Sequence, residues 1–326
     1  MVTRKRNVAG GQGQKNNEET LTKQDKVTSN SALKNGVGVS NENHAGYSKR
    51  ARKIMDRSYL WNLIGFFAFF GFSYFVLDYF RDLYDDSMAP HDEEFTRLFI
   101  EVPCSNDYGK KFKGCAPKRC GRCVMDNLFE EEQISKLREL AERGMAHGGS
   151  NGGASVLDLH SGALSKGEKF INIYGMQTKI FTEDDFKLYK EMKSKIHETI
   201  TKEFDIQKSK LYLTNPTFFS RMDSRPAKTK HDEYWHPHID KITYKTFYYT
   251  SLLYLSEYGE DFNGGRFNFI GKRSNKTVEP KRGRLSFFTS GSENPHFVEP
   301  VSNGTRFAIT VSFTCDPKAS IKDPGE

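Results

Sequence analysis

Residues 234–241 read Tyr-Trp-His-Pro-His-Ile-Asp-Lys, and the pair His238 and Asp240 within them decides how the rest of the chain is read. On an extended strand, residues two apart project to one face, so an imidazole and a carboxylate can meet at a single point. A His-x-Asp tripeptide by itself is common by chance. Its weight comes from His296 in Ser-Glu-Asn-Pro-His-Phe-Val and from Arg306, ten residues further on, in Asn-Gly-Thr-Arg-Phe-Ala-Ile. A second imidazole from a later strand completes a facial triad of two histidines and one carboxylate, the donor set that leaves three positions open on iron(II). Two of those positions suit a chelating oxo-acid and the third suits dioxygen. Arg306 then offers a planar fork to the distal carboxylate of such an acid.

Outward from this region the pattern is one of short strands, at 211–219, 235–239, 247–255, 266–269, 284–288 and 306–313, separated by Gly, Pro, Asn and Ser. Two helices precede them. The spacing of Leu128, Ile134, Leu137 and Leu140 predicts a helix over 126–145. Phe186, Tyr189, Met192, Ile196 and Ile200 draw the stripe of a second over 182–204, with Thr182 and Asp185 as its cap. Helices followed by closely spaced strands predict an α+β fold, an antiparallel sandwich or barrel with helices on one face.

The same region carries His-Pro-His-Ile-Asp at 236–240, Thr-Ser-Leu-Leu-Tyr-Leu-Ser-Glu-Tyr at 250–258, Gly-Gly-Arg-Phe at 264–267 and Gly-Arg-Leu-Ser-Phe-Phe at 283–288. Through these stretches, residues from about 210 to 315 resemble the catalytic domain of iron- and 2-oxoglutarate-dependent oxygenases of the prolyl 4-hydroxylase type. The resemblance implies a double-stranded β-helix, or jelly-roll, core. It implies Fe(II) and 2-oxoglutarate as cofactors, dioxygen as co-substrate, ascorbate to restore oxidised iron, and hydroxylation of a protein side chain with release of succinate and carbon dioxide. His238, Asp240 and His296 match the iron ligands, and Arg306 matches the residue that binds 2-oxoglutarate. Collagen-type relatives carry Lys where Arg306 stands, and position 308 is Ala where some relatives carry Ser. Tyr254 lies on the strand where relatives present a tyrosine to the cofactor carboxylate; it is also suited to the core, with its hydroxyl bonded there.

Asn303-Gly304 is a strong hairpin signal. A hairpin there would place His296 and Arg306 on opposite faces and destroy a shared site. The jelly-roll reading removes the conflict, because the two strands then lie in opposite sheets. Arg306, Ala308, Thr310 and Ser312 form the inner face, while Phe307, Ile309, Val311 and Phe313 pack outward on helices. His236 is the nearest rival ligand, but pairing it with His238 supplies no carboxylate. His44, His91, His147, His160, His197 and His231 lack a partner pattern and read as surface or packing residues.

Ser58 to Leu77 form a stretch of twenty residues without a charge, long enough as a helix to span roughly 30 Å, with tyrosine and tryptophan towards its ends. The flanks set an orientation: Lys49, Arg50, Arg52, Lys53 and Arg57 precede it, while Asp78, Arg81, Asp82, Asp85 and Asp86 follow. Of the chain's 49 Lys and Arg and 42 Asp and Glu, twelve and five fall in residues 1–57, leaving 37 of each beyond, so the whole net charge of +7 lies before the span. A nucleic-acid-binding domain would carry its excess in the folded part, and that class is excluded as a partner. The positive-inside rule predicts a type II single-pass protein in the lipid bilayer, with a cytosolic tail and a catalytic domain that is lumenal, in the endoplasmic reticulum or Golgi, or extracellular.

The divisions that follow are a disordered basic tail at 1–57, a signal-anchor helix at 58–78, a cysteine-containing stalk at 79–125, the dioxygenase domain at 126–318 and a tail at 319–326. Cys104, Cys115, Cys120 and Cys123 could bind zinc or form disulfides; an oxidising compartment favours disulfides, and Cys315 is left over as a free core thiol. Asn275-Lys-Thr and Asn303-Gly-Thr are glycosylation sequons. The rival class is a non-catalytic lumenal binding module, which has no need of two imidazoles, a carboxylate and a spaced arginine.

Overall fold

The computed structural model describes residues 60–77, 87–109, 112–228 and 234–324. The predicted basic tail, the charged flanks of the apolar stretch and His231 lie outside the described residues. Helix α1 spans Leu60–Leu77, 18 residues. It is the one helix among the described residues long and apolar enough to cross a membrane, and Trp61, Phe67, Phe72 and Tyr74 are all exposed on it.

From Ser87 onward the elements are β1 (Ser87–Ala89), β2 (Leu98–Val102), β3 (Cys120–Met125), α2 (Glu131–Met145), β4 (Ala154–Asp158), β5 (Ala163–Lys166), β6 (Lys169–Asn172), α3 (Glu183–Glu203) and β7 (Tyr212–Asp223). They continue with α4 (Asp240–Thr243), β8 (Tyr249–Tyr254), β9 (Phe262–Gly264), β10 (Phe267–Phe269), β11 (Lys276–Val278), β12 (Leu285–Thr289), β13 (His296–Val298) and β14 (Val301–Thr314). A large sheet runs in the order β2-β3-β12-β8-β14-β7-β4-β5-β6, and a small one in the order β1-β11-β10-β13. Central strands of the large sheet are covered on both faces. Leu252, Phe288 and Ala308 pack against Phe267, Phe269 and Val298 of the small sheet. Their neighbours Leu253, Phe287 and Ile309 turn the other way, into a second core that contains Leu137 and Leu140 of α2 and Met192 and Ile196 of α3. The period-2 alternation thus builds a two-sheet jelly-roll sandwich with helices on one outer face.

The helix α3 follows its predicted cap: Thr182 Oγ1 accepts from the Asp185 amide at 3.2 Å and Asp185 Oδ2 accepts from the Thr182 amide at 2.7 Å. The helix α2 starts at Glu131 rather than 126. Asn127 takes a φ of 59°, which breaks the helical path, and Asp126 is held in a buried bidentate pair with Arg284, at 2.8 and 2.9 Å.

The expectation of a stalk at 79–125 is corrected from Ser87 on. The strand β3 pairs with β12, β2 pairs with β3, and β1 pairs with β11, so this segment belongs to both sheets. Arg284, fully buried, fastens it: besides Asp126 it donates to the carbonyls of Ala89, Pro90, Glu93 and Glu279. Disulfides rather than zinc hold the cysteines, as expected, but the expectation of a free Cys315 is corrected. Disulfides join Cys104 to Cys120 and Cys115 to Cys315, the second across a sequence separation of 200. With four thiols oxidised there is no thiolate set for zinc. The free thiol is Cys123, buried in β3 and pushed up to about 12 by that burial.

Residues 235–239 are not the predicted strand. Pro237 has no N–H to donate, and only His238 pairs, in an isolated bridge to His296. No hairpin forms at Asn303-Gly304; β14 runs straight through it and pairs there with β9. Gly304 sits at φ 77°, where a Cβ would lie 2.1 Å from the Asp261 carbonyl oxygen, so the glycine serves a close strand approach rather than a turn.

Candidate active site

Between the sheets lies a cavity of about 280 Å³ lined by His238, Asp240, His296 and Arg306, together with Tyr234 and Thr310 among others. His238 Nε2 and His296 Nε2 each stand 3.6 Å from Asp240 Oδ1, and one ligand atom from each of the three residues falls within 4.8 Å of the others. It is the one such group of His, Cys, Asp and Glu among the described residues.

Local structure explains the convergence. Ile239 has extended dihedrals of −124° and 121°, so His238 and Asp240 share a face as they would on a strand, although Asp240 already opens the short helix α4. His238 is set by its bridge to His296, whose amide donates to the His238 carbonyl at 3.0 Å and whose carbonyl accepts from the His238 amide at 2.9 Å. Because a carbonyl can only accept, His238 Nδ1 donates to His236 O at 3.0 Å and His296 Nδ1 to Asn294 O at 2.9 Å. Both Nε2 lone pairs are therefore left for a metal, with the ring orientation fixed by the carbonyls behind. Burial pulls His296 below the usual imidazole range, which keeps that lone pair free of a proton.

Asp240 is oriented likewise. Thr250 Oγ1 donates to its Oδ2 at 2.6 Å and lies 2.9 Å from Ser290 Oγ, so Oδ1 is the oxygen turned to the histidines. Asn294 is held in turn by Arg122, whose Nε donates to Asn294 Oδ1 at 2.7 Å. Phe267 and Phe288 pack on the His296 ring at 5.0 and 4.9 Å between centroids, which keeps that side of the site dry.

Arg306 supplies the test of what else fits. It is 1% exposed, its Nη1 approaches Met222 Sδ at 3.6 Å, and its Nε and Nη2 are buried without a hydrogen-bond partner among the described residues. A buried, unpaired guanidinium is costly unless an anion joins it. Burial pulls its pKa below the ordinary arginine value. The donor set and this cation together fit a metal ion and a carboxylate-bearing acid in one cavity. Tyr254, fully buried, lies with its ring 5.3 Å from the Arg306 guanidinium carbon; its hydroxyl has no partner among the described residues, and burial pushes it up to about 12.

The structure thus brings His238, Asp240, His296, Arg306 and Tyr254 together and leaves Asn275 and Asn303 exposed elsewhere. Sequence reasoning missed Thr250, although Thr250, Leu252 and Tyr254 alternate onto one face of β8. It missed Arg122, Ser290 and Asn294, which carry no motif. It also missed Tyr234, whose hydroxyl accepts from the Val301 amide at 3.0 Å.

Residues 224–314 match the family described as the 2OG-Fe(II) oxygenase superfamily. The chain is 56% identical over 250 residues to the 2-oxoglutarate and iron-dependent oxygenase domain-containing protein 3 of Xenopus tropicalis, covering 74% of this chain and 79% of that protein. It is 26% identical over 230 residues to prolyl 3-hydroxylase 1 of Mus musculus, covering 62% of this chain and 29% of that protein. Among solved structures, a prolyl hydroxylase from Trichoplax adhaerens in complex with a hypoxia inducible factor oxygen degradation domain peptide fragment is similar at 16% identity and a TM-score of 0.43, over 59% of this chain and 83% of that one.

Proposed function

The chain belongs to the family of 2-oxoglutarate- and iron-dependent oxygenases and is a dioxygenase using Fe(II), 2-oxoglutarate and dioxygen; from this premise we propose that it hydroxylates a protein side chain on the lumenal or extracellular side of a membrane. His238, Asp240 and His296 would hold the iron, and Arg306 the distal carboxylate of 2-oxoglutarate. The observation that carries this reading is the unpaired buried fork of Arg306 in the same cavity as the triad. When bound, iron and 2-oxoglutarate would supply the oxidation of a C–H bond to a hydroxyl by dioxygen, with succinate and carbon dioxide as the co-products.

The chain's own residues do the rest. Carbonyls of His236 and Asn294 fix the imidazoles, and Thr250 turns Asp240. Arg306, with Nε and Nη2 unpartnered, would pair with the carboxylate and set the acid's direction in the cavity. Phe267 and Phe288 exclude water beside His296. Tyr254 packs against the guanidinium, and its unpartnered hydroxyl would be available to the same carboxylate.

A protein substrate is supported by the relative named prolyl 3-hydroxylase 1. Membrane anchoring is supported by the length and exposed apolar surface of α1 and by a charge surplus confined to residues 1–57. Asn275 and Asn303 are both exposed, as glycan acceptors must be. Mass spectrometry of exported proteins captured by an Asp240→Ala chain is expected to find side chains that gain one oxygen atom only when the wild-type enzyme is present. Capture of none would remove the protein substrate. In sealed microsomes the domain is expected to resist protease until detergent is added; digestion without detergent would reverse the orientation.

A further inference from the structure

The loop from Cys104 to Cys120 has no part in the reaction described above, yet it grips the turn that carries His296. Four hydrogen bonds cross between them. The Gly291 amide donates to Tyr108 Oη at 2.6 Å, and the Ser292 amide donates to Asp107 Oδ2 at 2.6 Å. Tyr108 Oη in turn donates to Glu293 Oε1, and the Ser105 amide reaches Glu293 Oε2 at 3.3 Å. The fit is close: a Cβ on Gly291 would lie 2.6 Å from both Ser105 Oγ and Tyr108 Oη. On its other side the same turn ends in Asn294, whose carbonyl accepts from His296 Nδ1. Tyr108 also meets the arm that carries Asp240, because the Lys241 ammonium lies 5.4 Å from its ring and the Lys241 amide donates to Ser290 O.

Two disulfides tie this loop down, Cys104 to Cys120 and, from within it, Cys115 to Cys315, and only the first has an end in solvent. Cys120 is buried at the start of β3, whereas Cys104 is exposed. The other disulfide, Cys115 to Cys315, is buried at both ends. A dithiol reductant therefore has access to one bond and not to the other. Its thiolate attacks Cys104 Sγ and expels Cys120 as a thiolate, which takes up a proton. The reductant's second thiol then closes its own disulfide and releases the Cys104 thiol, so the two electrons come from the dithiol.

We propose that the disulfide-closed loop is a clasp on the metal-binding turn, with Tyr108 as its positioning residue, and that reduction of Cys104–Cys120 alone weakens the metal site. The proposal rests on the assignment of His296 as a metal ligand. It makes metal occupancy answer to the thiol–disulfide state of the surroundings, through residues that never touch the metal.

The test uses the full chain in detergent with Co(II) as the probe, read by its visible absorption, alongside amide hydrogen exchange. Wild type, wild type after mild dithiol treatment, Cys104→Ser and Tyr108→Phe are compared. Co(II) affinity is expected to fall by about tenfold in the last three, the cost typical of a lost outer-shell partner. Exchange at Gly291 and Ser292 is expected to quicken while that of the core strands β8 and β14 stays slow. Tyr108→Phe keeps the disulfide and decides the matter should Cys104→Ser fail to fold. Unchanged Co(II) affinity in the reduced protein and in Tyr108→Phe overturns the clasp, as does unchanged exchange at Gly291 and Ser292. Equal Co(II) binding by Asp240→Ala and wild type would instead overturn the metal-site assignment, leaving the clasp to be judged by exchange.

Discussion

Thr250 has no charge and sits on a strand of the core, yet it determines which oxygen of Asp240 faces the two histidines. Replacing it with valine keeps the shape and removes the donor. We expect Thr250→Val to weaken Fe(II) binding by about 10- to 100-fold, as outer-shell substitutions do, measured by anaerobic metal titration. Arg306 acts at the other end of the cavity. Lysine there keeps a charge but loses the fork, so one of two charge-assisted hydrogen bonds goes, each worth about 1.5–3 kcal/mol. Arg306→Lys is therefore expected to raise the KM for 2-oxoglutarate by about tenfold or more, with Fe(II) affinity little changed. Equal KM values would show that the guanidinium geometry is not what holds the acid. These two residues were not equally legible. Arg306 stood out by its distance from His296, whereas Thr250 could be found only by asking which residues of β8 share a face with Tyr254.

Among the elements, those with strong periodicity were readable and those shaped by distant contacts were not. The stripe and cap of α3 follow from local sequence and survive intact. The start of α2 does not, because Asp126 is claimed by Arg284, 158 residues further along. The segment 235–239 alternates like a strand, but Pro237 denies the ladder, and only the extended dihedrals at Ile239 preserve the shared face. The shared face of His238 and Asp240 thus holds without the strand read into 235–239, which is absent among the described residues. Asn303-Gly304 misleads in the opposite sense: its glycine is needed for close contact with β9, a long-range demand that a local turn rule cannot register. Arg284 tests how the elements are joined. Removing it strands Asp126 as a buried carboxylate and frees the carbonyls of 89, 90 and 93, so Arg284→Ala is expected to cost about 3–5 kcal/mol in chemical denaturation. A loss below about 1 kcal/mol would mean that β1 and β2 are held by the sheets alone.

At the scale of the whole molecule, the disulfide from Cys115 to Cys315 ties the segment before the helices to the end of β14. Closing so long a loop removes much of the freedom of the unfolded chain. Cys315→Ser is expected to lower stability by about 2–5 kcal/mol, seen as a lower denaturant midpoint. Sequence spacing could not reveal this bond, since Cys315 stands far from the cluster of four and only the fold brings it to Cys115. Charge, by contrast, was legible at this scale: the +7 is confined to 1–57 and the rest of the chain is balanced, which separates the electrostatics of a tail from those of an oxygenase. The central claim is that His238, Asp240 and His296 hold an iron that turns over 2-oxoglutarate. The direct measurement is Fe(II)-dependent succinate formation by wild type and by Asp240→Ala. Succinate from the wild type and background from the variant is the expected result; equal yields from both would contradict the account.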